Sequence, residues 1–304
     1  MGYHIVNIDT VASQVRTLKK QLICTNERGT FSLPLEDVAA VLVTGWSATF
    51  DRAFLTEAGK FGVAVIFCEN FKPVSVLLPA NRSTDTKLTK ATLALKKRQR
   101  ASLWSQTIDA KCRNQYQLAK ALDPKHSRLK RLKVVAFSSG VAREGHCSRL
   151  YWRIFGESLG LKSFRREPAL NGCNDLLNYG YAVLLSLVLQ YLMALGLDPT
   201  FGIGHEIRER ATPLAYDVME PFRPCVDWRV AEWVRSQHDP SEGVSAEYKR
   251  WVTDFLKEKI SYRNRRIQTK NCIEAVIRSL RKAVLEQNPR LYKPWIGSLT
   301  KWDG

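Results

Sequence analysis

The chain has 304 residues, 45% of them hydrophobic and 25% charged, an ordinary globular composition that excludes a disordered chain, a collagen and a disulfide-stapled mini-scaffold. The charge is not ordinary: 47 Lys and Arg against 29 Asp and Glu leave +18. Residues 1–80 hold 7 basic and 7 acidic side chains, so the whole excess lies in residues 81–304, and the usual partner of so one-sided a surface is a polyanion, nucleic acid first.

The N-terminal part reads as strands and turns. Residues 3–9 alternate apolar and polar side chains, and short runs rich in β-branched residues at 38–43, 63–67 and 74–78 predict buried strands. Residues 48–58 have helical spacing and stop at Gly59. Residues 79–85 are polar and aperiodic, as a linker is. Beyond them Ala101, Trp104, Ile108, Cys112, Ala119 and Leu122 recur at threes and fours along one helix face. Asn174 and Asp175 can cap a helix that runs to Gly196, and 244–260 and 267–286 read as amphipathic helices. The pattern predicts an α+β protein: a small β-rich domain over 1–80, a linker over 81–95, and a larger, mostly helical domain over 96–304.

Residues 179–195 are the most apolar stretch. They include Ser186 and Gln190 and fall short of the ~20 residues that span a bilayer, which predicts a core helix and no membrane partner. The N-terminus lacks the basic flank and long apolar region of a signal peptide. Seven scattered cysteines, odd in number and without CxxC spacing, argue against a zinc ribbon or a disulfide framework and fit reduced thiols in a cytoplasmic protein.

The basic excess is concentrated. From Lys87 to Lys133 there are 14 basic and 2 acidic residues, densest at Lys96, Lys97, Arg98 and Arg100 and again at Arg128, Lys130 and Arg131. A second patch holds Arg263, Arg265, Arg266 and Lys270. With Arg143, these are the expected DNA contacts; contacts to phosphate position a nucleic acid without reading its sequence. His126 lies inside the belt and is a further candidate for phosphate contact, whereas His4 and His238 read as structural or surface residues.

Three segments can carry chemistry. Glu144 falls near the start of a helix, where a carboxylate is favoured by the helix dipole whether or not it has another task. His205, between glycines and acidic residues in Phe201-Gly202-Ile203-Gly204-His205, suits a ligand or a loop filler equally. Asp217 and Glu220 are three apart and share a helix face, where they need either a cation between them or a base such as Arg223; Pro221 would kink the backbone beside them. Carboxylates with one imidazole suit Mg²⁺ or Mn²⁺ better than zinc, and a divalent metal on a phosphate-binding surface points to phosphodiester chemistry. Spacing alone does not bring the segments together.

Four motifs occur in order: Glu144 in Arg143-Glu144-Gly145-His146 with Tyr151 following, Asn174 to Tyr181 (NDLLNYGY), Gly202-Ile203-Gly204-His205, and Leu214 to Pro224 (LAYDVMEPFRP). With them the chain resembles, over nearly its whole length, the CRISPR adaptation integrase, the first CRISPR-associated protein, also described as a DNA endonuclease; the last motif is most similar to the branch found with single-protein RNA-guided effector nucleases. The resemblance implies a metal site of Glu144, His205 and Glu220, holding Mg²⁺ or Mn²⁺, with Asp217 supporting. Many relatives carry His-His where this chain has Gly204-His205, so a contact from position 204 is missing here. The resemblance also implies a homodimer formed through the β-rich domain, two such dimers bracketing a dimer of the small second CRISPR-associated protein, and leaves open whether the RNA-guided effector nuclease joins them. The implied reaction is spacer acquisition: the 3′-OH ends of a short DNA fragment attack the CRISPR repeat, and water in their place gives cutting. A non-catalytic DNA-binding scaffold and a structure-specific nuclease for branched DNA are the alternatives; a scaffold has no need of the Glu144, His205, Glu220 set.

Overall fold

In the computed structural model the described residues are 4–69, 72–77, 79, 86–140, 142–205 and 212–297. Two four-stranded sheets build the N-terminal part. Strands β1 (His4–Ile8), β5 (Val38–Val43) and β7 (Ala64–Glu69) run parallel in the order β1-β5-β7, and β8 (Lys72–Leu77) adds antiparallel to β7. The second sheet has the order β4-β3-β2-β6, from β2 (Ser13–Leu18), β3 (Gln21–Asn26), β4 (Gly29–Pro34) and β6 (Ala48–Phe50). The α+β expectation holds: a β-rich front is followed by a mostly helical remainder.

Strands β2, β3 and β4 were not expected. Their inward residues are Val15, Leu22 and Cys24, in strands with no apolar run longer than Leu22-Ile23-Cys24, and β4 is largely exposed. The β2–β3 turn is also disguised: Lys19 and Lys20 both take positive φ, +50° and +61°, which a tight hairpin needs but which glycine or asparagine usually supplies. The helix expected over 48–58 starts later. Ala48–Phe50 pairs with β2 as β6, and α1 (Arg52–Lys60) begins after Asp51, whose carboxylate accepts the amide of Phe54 as an N-cap.

The first sheet has both faces covered, and this joins the two parts of the molecule. Val41 and Val43 of β5 and Val65 of β7 point into a small core shared with Val15, Leu22, Leu35, Phe54 and Ala58. Their neighbours Leu42 and Ile66 point the other way, into the large core of the helical part, as strand alternation requires. That core is centred on α6 (Cys173–Ala194). Over Cys173–Met193 this helix is long and apolar enough for a membrane span, with mean hydropathy 1.5, yet it is wholly buried in protein. Gly172 and Asp175 cap it, the Asp175 carboxylate accepting the Gly172 amide, while Asn174 instead accepts Arg166 and the Glu167 amide.

Around α6 lie α3 (Lys97–Leu122), α4 (Leu129–Ala136), α5 (Arg143–Ser158), α7 (Pro213–Met219), α8 (Arg223–Arg235), α9 (Ala246–Thr253) and α10 (Thr269–Leu285). Helix α2 (Thr86–Leu93) lies inside the stretch expected as a linker and packs on α10; of the polar stretch 79–85, only Pro79 is among the described residues. The inner face of α3 is rotated from the expected one: Leu103, Thr107, Ala110, Asn114 and Leu118 join Cys112, Ala119 and Leu122, and Ala101 is exposed. The helix expected over 244–260 ends early, and β9 (Lys259–Tyr262) and β10 (Arg265–Gln268) form a hairpin before α10. Its two-residue turn is Arg263-Asn264, both at positive φ, which places the second basic patch on a hairpin.

Helix α6 crosses α8 and α9 at Gly180, where a Cβ would lie 2.4 Å from a methyl of Val226 and 3.2 Å from one of Val252. Both neighbours are fully buried and cannot swing away. Gly180→Ala is expected to destabilise the fold by about 1–3 kcal/mol, the usual cost of overpacking, seen as a lower midpoint in urea unfolding; an unchanged midpoint would show that the helices separate freely at this crossing.

Candidate active site

The three motif segments converge where α3, α5 and the 3₁₀ turn Glu220–Phe222 meet. The turn exists because Pro221 has no amide hydrogen to continue α7. The helix stops at Met219, one tight turn follows, and α8 starts at Arg223. Fully buried Asn114 of α3 fixes the turn by donating to the Pro221 carbonyl at 2.8 Å, and also to the Trp295 carbonyl at 3.0 Å. Phe222 stacks on Trp295, centroids 5.4 Å apart, and closes the back of the site.

Glu220 is buried and held from two sides. Its Oε1 accepts from Arg223 Nε at 2.9 Å, and its Oε2 lies 2.8 Å from Lys111 Nζ, in contact as an ion pair but off the direction of a hydrogen bond. The same ammonium donates to Glu144 Oε1 at 2.7 Å. Burial alone would raise the Glu220 pKa; Arg223 and Lys111 outweigh it and hold the carboxylate at about 2. Burial likewise works against the Lys111 charge, and Glu220 and Glu144 outweigh it, so this ammonium is held above its usual range. Arg223, the base considered for Asp217 and Glu220 together, serves Glu220.

Asp217 does something else. Fully buried, it accepts four hydrogen bonds from one loop: the amides of Ile203 and Gly204 on Oδ2 at 2.6 and 2.9 Å, the His205 amide on Oδ1 at 3.0 Å, and His205 Nδ1 on the same oxygen at 2.6 Å. The carboxylate shapes the loop and fixes the imidazole, because a proton held on Nδ1 leaves the lone pair on Nε2. The loop has no room for side chains at its glycines. A Cβ on Gly202 would lie 2.4 Å from the His205 carbonyl oxygen, and one on Gly204 would lie 2.2 Å from the Trp104 indole. Trp104 also meets the His205 ring edge to face, centroids 5.4 Å apart. The indole therefore fills the space beside position 204 and supports His205.

The structure thus brings Glu144 and Glu220 onto one ammonium and His205 onto Asp217, with His205 near enough to act electrostatically on Glu220. Among the described residues no three His, Cys, Asp or Glu side chains close into a metal-binding group; Lys111 stands between the two glutamates. In kind the donors fit a hard divalent cation: two carboxylates, an imidazole whose other nitrogen is bound to Asp217, and a buried carboxylate oxygen without a hydrogen bond.

Behind Glu220 lies a third buried carboxylate, after Glu220 and Asp217. Asp227 accepts the hydroxyls of Tyr151 at 2.6 Å and Tyr181 at 2.5 Å, and the Arg223 guanidinium sits over the Tyr181 ring, 4.5 Å from its centroid. Burial raises the Asp227 pKa to about 6, more than the two tyrosine hydroxyls lower it. Tyr151, Tyr179 and Tyr181 are packing residues, buried as rings next to apolar helix positions are.

The expected DNA contacts fall into two groups. Lys96, Lys97 and Arg98 at the start of α3, Lys130 and Arg131 on α4, and Arg263, Arg265 and Arg266 on the hairpin are exposed. Arg100 is half-buried and donates weakly to the Thr92 carbonyl at 3.4 Å. Arg128 and His126 both bind Glu157, at 2.7 and 3.0 Å, and with its side chain buried His126 does not offer a phosphate contact. Arg143 is bound to Asp109 at 2.9 Å and to the Ser138 carbonyl at 2.6 Å. Spacing did not single out Lys111 and Asn114, and it placed Trp104 only on a helix face; Lys111 was visible only as one more member of the basic belt. All seven cysteines are free thiols.

Comparison with known proteins gives a consistent answer. A family model described as CRISPR associated protein Cas1 matches residues 6–259. A CRISPR-associated endonuclease Cas1 of Neisseria meningitidis serogroup C is 27% identical over 284 residues, covering 90% of each chain. The Cas1 endonuclease of Korarchaeum cryptofilum is 24% identical over 314 residues, covering 90% of this chain and 92% of its own. Among solved structures, a casposase bound to an integration product superposes with TM-score 0.81 at 20% identity, over 98% of this chain and 93% of the other. A Cas1 protein from Thermotoga maritima superposes with TM-score 0.72 at 18% identity, over 93% of this chain and 97% of the other.

Two predictions follow from the geometry. Gly204→Ala is expected to lower DNA cutting at least about tenfold, because the new methyl drives Trp104 or the His205 loop aside, and a misplacement of about 1 Å is enough for such a loss; Trp104→Leu in the same chain restores part of the rate. Wild-type rates for Gly204→Ala alone would show that the loop yields. For Asp227, a folded-state pKa of about 6 above an unfolded value near 4 means that the native state binds the extra proton between those values. Its contribution to stability is complete below about pH 4 and is lost as pH rises to about 6. Urea unfolding of Asp227→Asn from pH 4 to 6 is expected to lack that falling component; parallel curves for the two proteins would contradict it.

Proposed function

Since the chain belongs to the Cas1 family of CRISPR-associated proteins, we propose that it is a metal-dependent DNA endonuclease and integrase of CRISPR spacer acquisition, with Glu144, His205 and Glu220 as ligands of Mg²⁺ or Mn²⁺ and Asp217 as the support of His205. The observation that carries this reading is the meeting, in one place, of two carboxylates on a shared cation and an imidazole oriented by a buried carboxylate. A structural ion pair alone has no use for the Asp217–His205 arrangement, which holds the loop by three amide hydrogen bonds and orients the ring by a fourth.

When bound, a divalent ion would polarise the target phosphate and stabilise the charge that builds up on it. The protein's part is to hold the donors. Arg223 and Lys111 keep Glu220 ionised in a buried place, so its carboxylate presents charge at every working pH. Asp217 keeps the His205 Nε2 lone pair available and the loop closed around it. Phe222 and Trp295 exclude water from behind the turn. The exposed cations of α3, α4 and the hairpin supply phosphate contacts for a DNA fragment and its target. With a DNA 3′-OH as nucleophile, one phosphodiester is exchanged for another and no external energy source is needed; with water the strand is cut. A casposase with an integration product and a Cas6-RT-Cas1–Cas2 complex are among the solved structures of this fold, the latter superposing with TM-score 0.77 at 18% identity over 96% of this chain and 36% of that one. We propose that the protein works seated on Cas2 in the cytoplasm, as the homodimer joined through the β-rich part that the family resemblance implies.

The test incubates the protein and its Cas2 partner with labelled duplex bearing free 3′-OH ends and a supercoiled plasmid carrying the repeat. Label is expected to join the plasmid at the repeat borders with Mg²⁺ or Mn²⁺, to be lost with EDTA, and to fall about a hundredfold or more in Glu220→Ala, the scale of losing a directly coordinating group. Binding without joining or cutting in either metal would make the protein a scaffold. Cutting of branched DNA without joining would make it a repair-type nuclease.

A further inference from the structure

Among the described residues, Lys111 is the side chain that touches both proposed glutamate ligands, Glu144 at 2.7 Å and Glu220 at 2.8 Å. It reaches them from α3, while Glu144 comes from α5 and Glu220 from the turn after α7, so a single ammonium ties three separate parts of the chain together. Lys111 is 12% exposed and Glu220 5%, so water does little to screen the pair. We propose that Lys111 is a positioning residue that acts as a tethered counter-cation: it keeps Glu144 and Glu220 converged in the metal-free protein, and it competes with the divalent cation for the same two oxygens. The proposal rests on the reading of these glutamates as metal ligands.

Two features favour exchange over permanent pairing. Glu220 Oε2 has charge contact with Lys111 but no hydrogen bond, whereas Glu220 Oε1 is hydrogen-bonded to Arg223 three residues along the same segment. The oxygen facing Lys111 is therefore held by that ammonium alone, with no partner from its own segment. The two cations also differ in kind. Arg223 is fixed by its Nε hydrogen bond to Glu220 and by its face on Tyr181, while Lys111 ends a flexible four-carbon stem that can withdraw. Charge balance gives the arrangement a use. Glu144 and Glu220 are neutralised by Lys111 and Arg223 without metal. When a divalent ion takes the oxygens and the ammonium withdraws but stays nearby, the site carries a positive surplus suited to an incoming phosphodiester. An empty site is thus kept from collapsing through carboxylate repulsion and also from holding metal too tightly before DNA arrives.

The experiment measures metal binding without DNA or turnover, by calorimetric titration of Mn²⁺ into the metal-stripped, full-length protein. Lys111→Met keeps the stem and removes the charge; Lys111→Gln is the second variant if the first does not fold, as judged by circular dichroism. Either is expected to bind Mn²⁺ at least about tenfold tighter than wild type, a lower bound for removing one competing charge at contact distance. Either should also melt lower than wild type without metal and regain the difference at saturating Mn²⁺. Unchanged or weaker Mn²⁺ binding in a folded variant would overturn the proposal. Glu220→Gln separates the two readings. If wild type binds Mn²⁺ and Glu220→Gln does not, the glutamate is a ligand and the Lys111 result stands on its own. If wild type and Glu220→Gln bind equally, or neither binds, the ligand reading fails and the Lys111 proposal falls with it.

Discussion

A carboxylate withdrawn from water must find cations within contact distance or give up its charge, and in this protein that constraint falls hardest on Glu220. Much of the surrounding architecture answers it. Arg223 comes from one turn further along the same segment, and Lys111 is brought by α3, which has to cross the turn closely enough for Asn114 to seize the Pro221 carbonyl. Arg223 then needs a place for its own face, and Tyr181 provides the ring. Tyr181 in turn needs an acceptor for its hydroxyl in the middle of an apolar helix, and Asp227, shared with Tyr151, is that acceptor. A polar thread therefore runs from the site to the centre of the largest core cluster, each member present because the one before it required a partner.

Asp217 belongs to a different economy. Its neighbours are amides and an imidazole instead of cations, and its task is geometric. The short spacing that places Asp217 and Glu220 on one helix face would make them repel if they met. The proline-enforced turn puts them to separate uses, one toward the loop and one toward α3 and α5. Sheet β1-β5-β7-β8 sets the frame for this arrangement, since Leu42 and Ile66 bear on the helical core while Val41, Val43 and Val65 close the small β core. Lys249 of α9 binding Asp9 at the end of β1, at 2.5 Å, adds a polar tie across the same junction.

What was legible in the sequence was whatever obeyed a simple period or a cap. Strands β5 and β7 stood out because their continuous apolar runs are buried on both faces, whereas β8, also expected to be buried, leaves Val74 and Leu77 exposed. The meander β2–β4 did not stand out, because one of its faces is wet and its first turn is made by two lysines. The hairpin β9–β10 was hidden the same way, behind an arginine and an asparagine that read as part of a charge cluster. At the site, the acidic and histidine residues were recognisable as types, and their order carried the family resemblance. Lys111 was not recognisable, because a lysine among fourteen basic residues looks like surface until the fold shows it between two carboxylates. Trp104 was placed on a helix's inner face by period alone, with no sign that its ring fits against a glycine on a distant loop.

That fit between Trp104 and Gly204 has a historical consequence. Two positions that exclude one another's volume cannot drift independently: a lineage with an indole at 104 is confined to glycine at 204, and one with a side chain at 204 cannot accept the indole without first shrinking it or moving the loop. Passage between the two arrangements goes through the small residue at both positions, the one combination in which His205 has lost its aromatic support and gained no other. Substitutions at these two sites are therefore ordered in time, and each arrangement, once reached, tends to persist in its descendants.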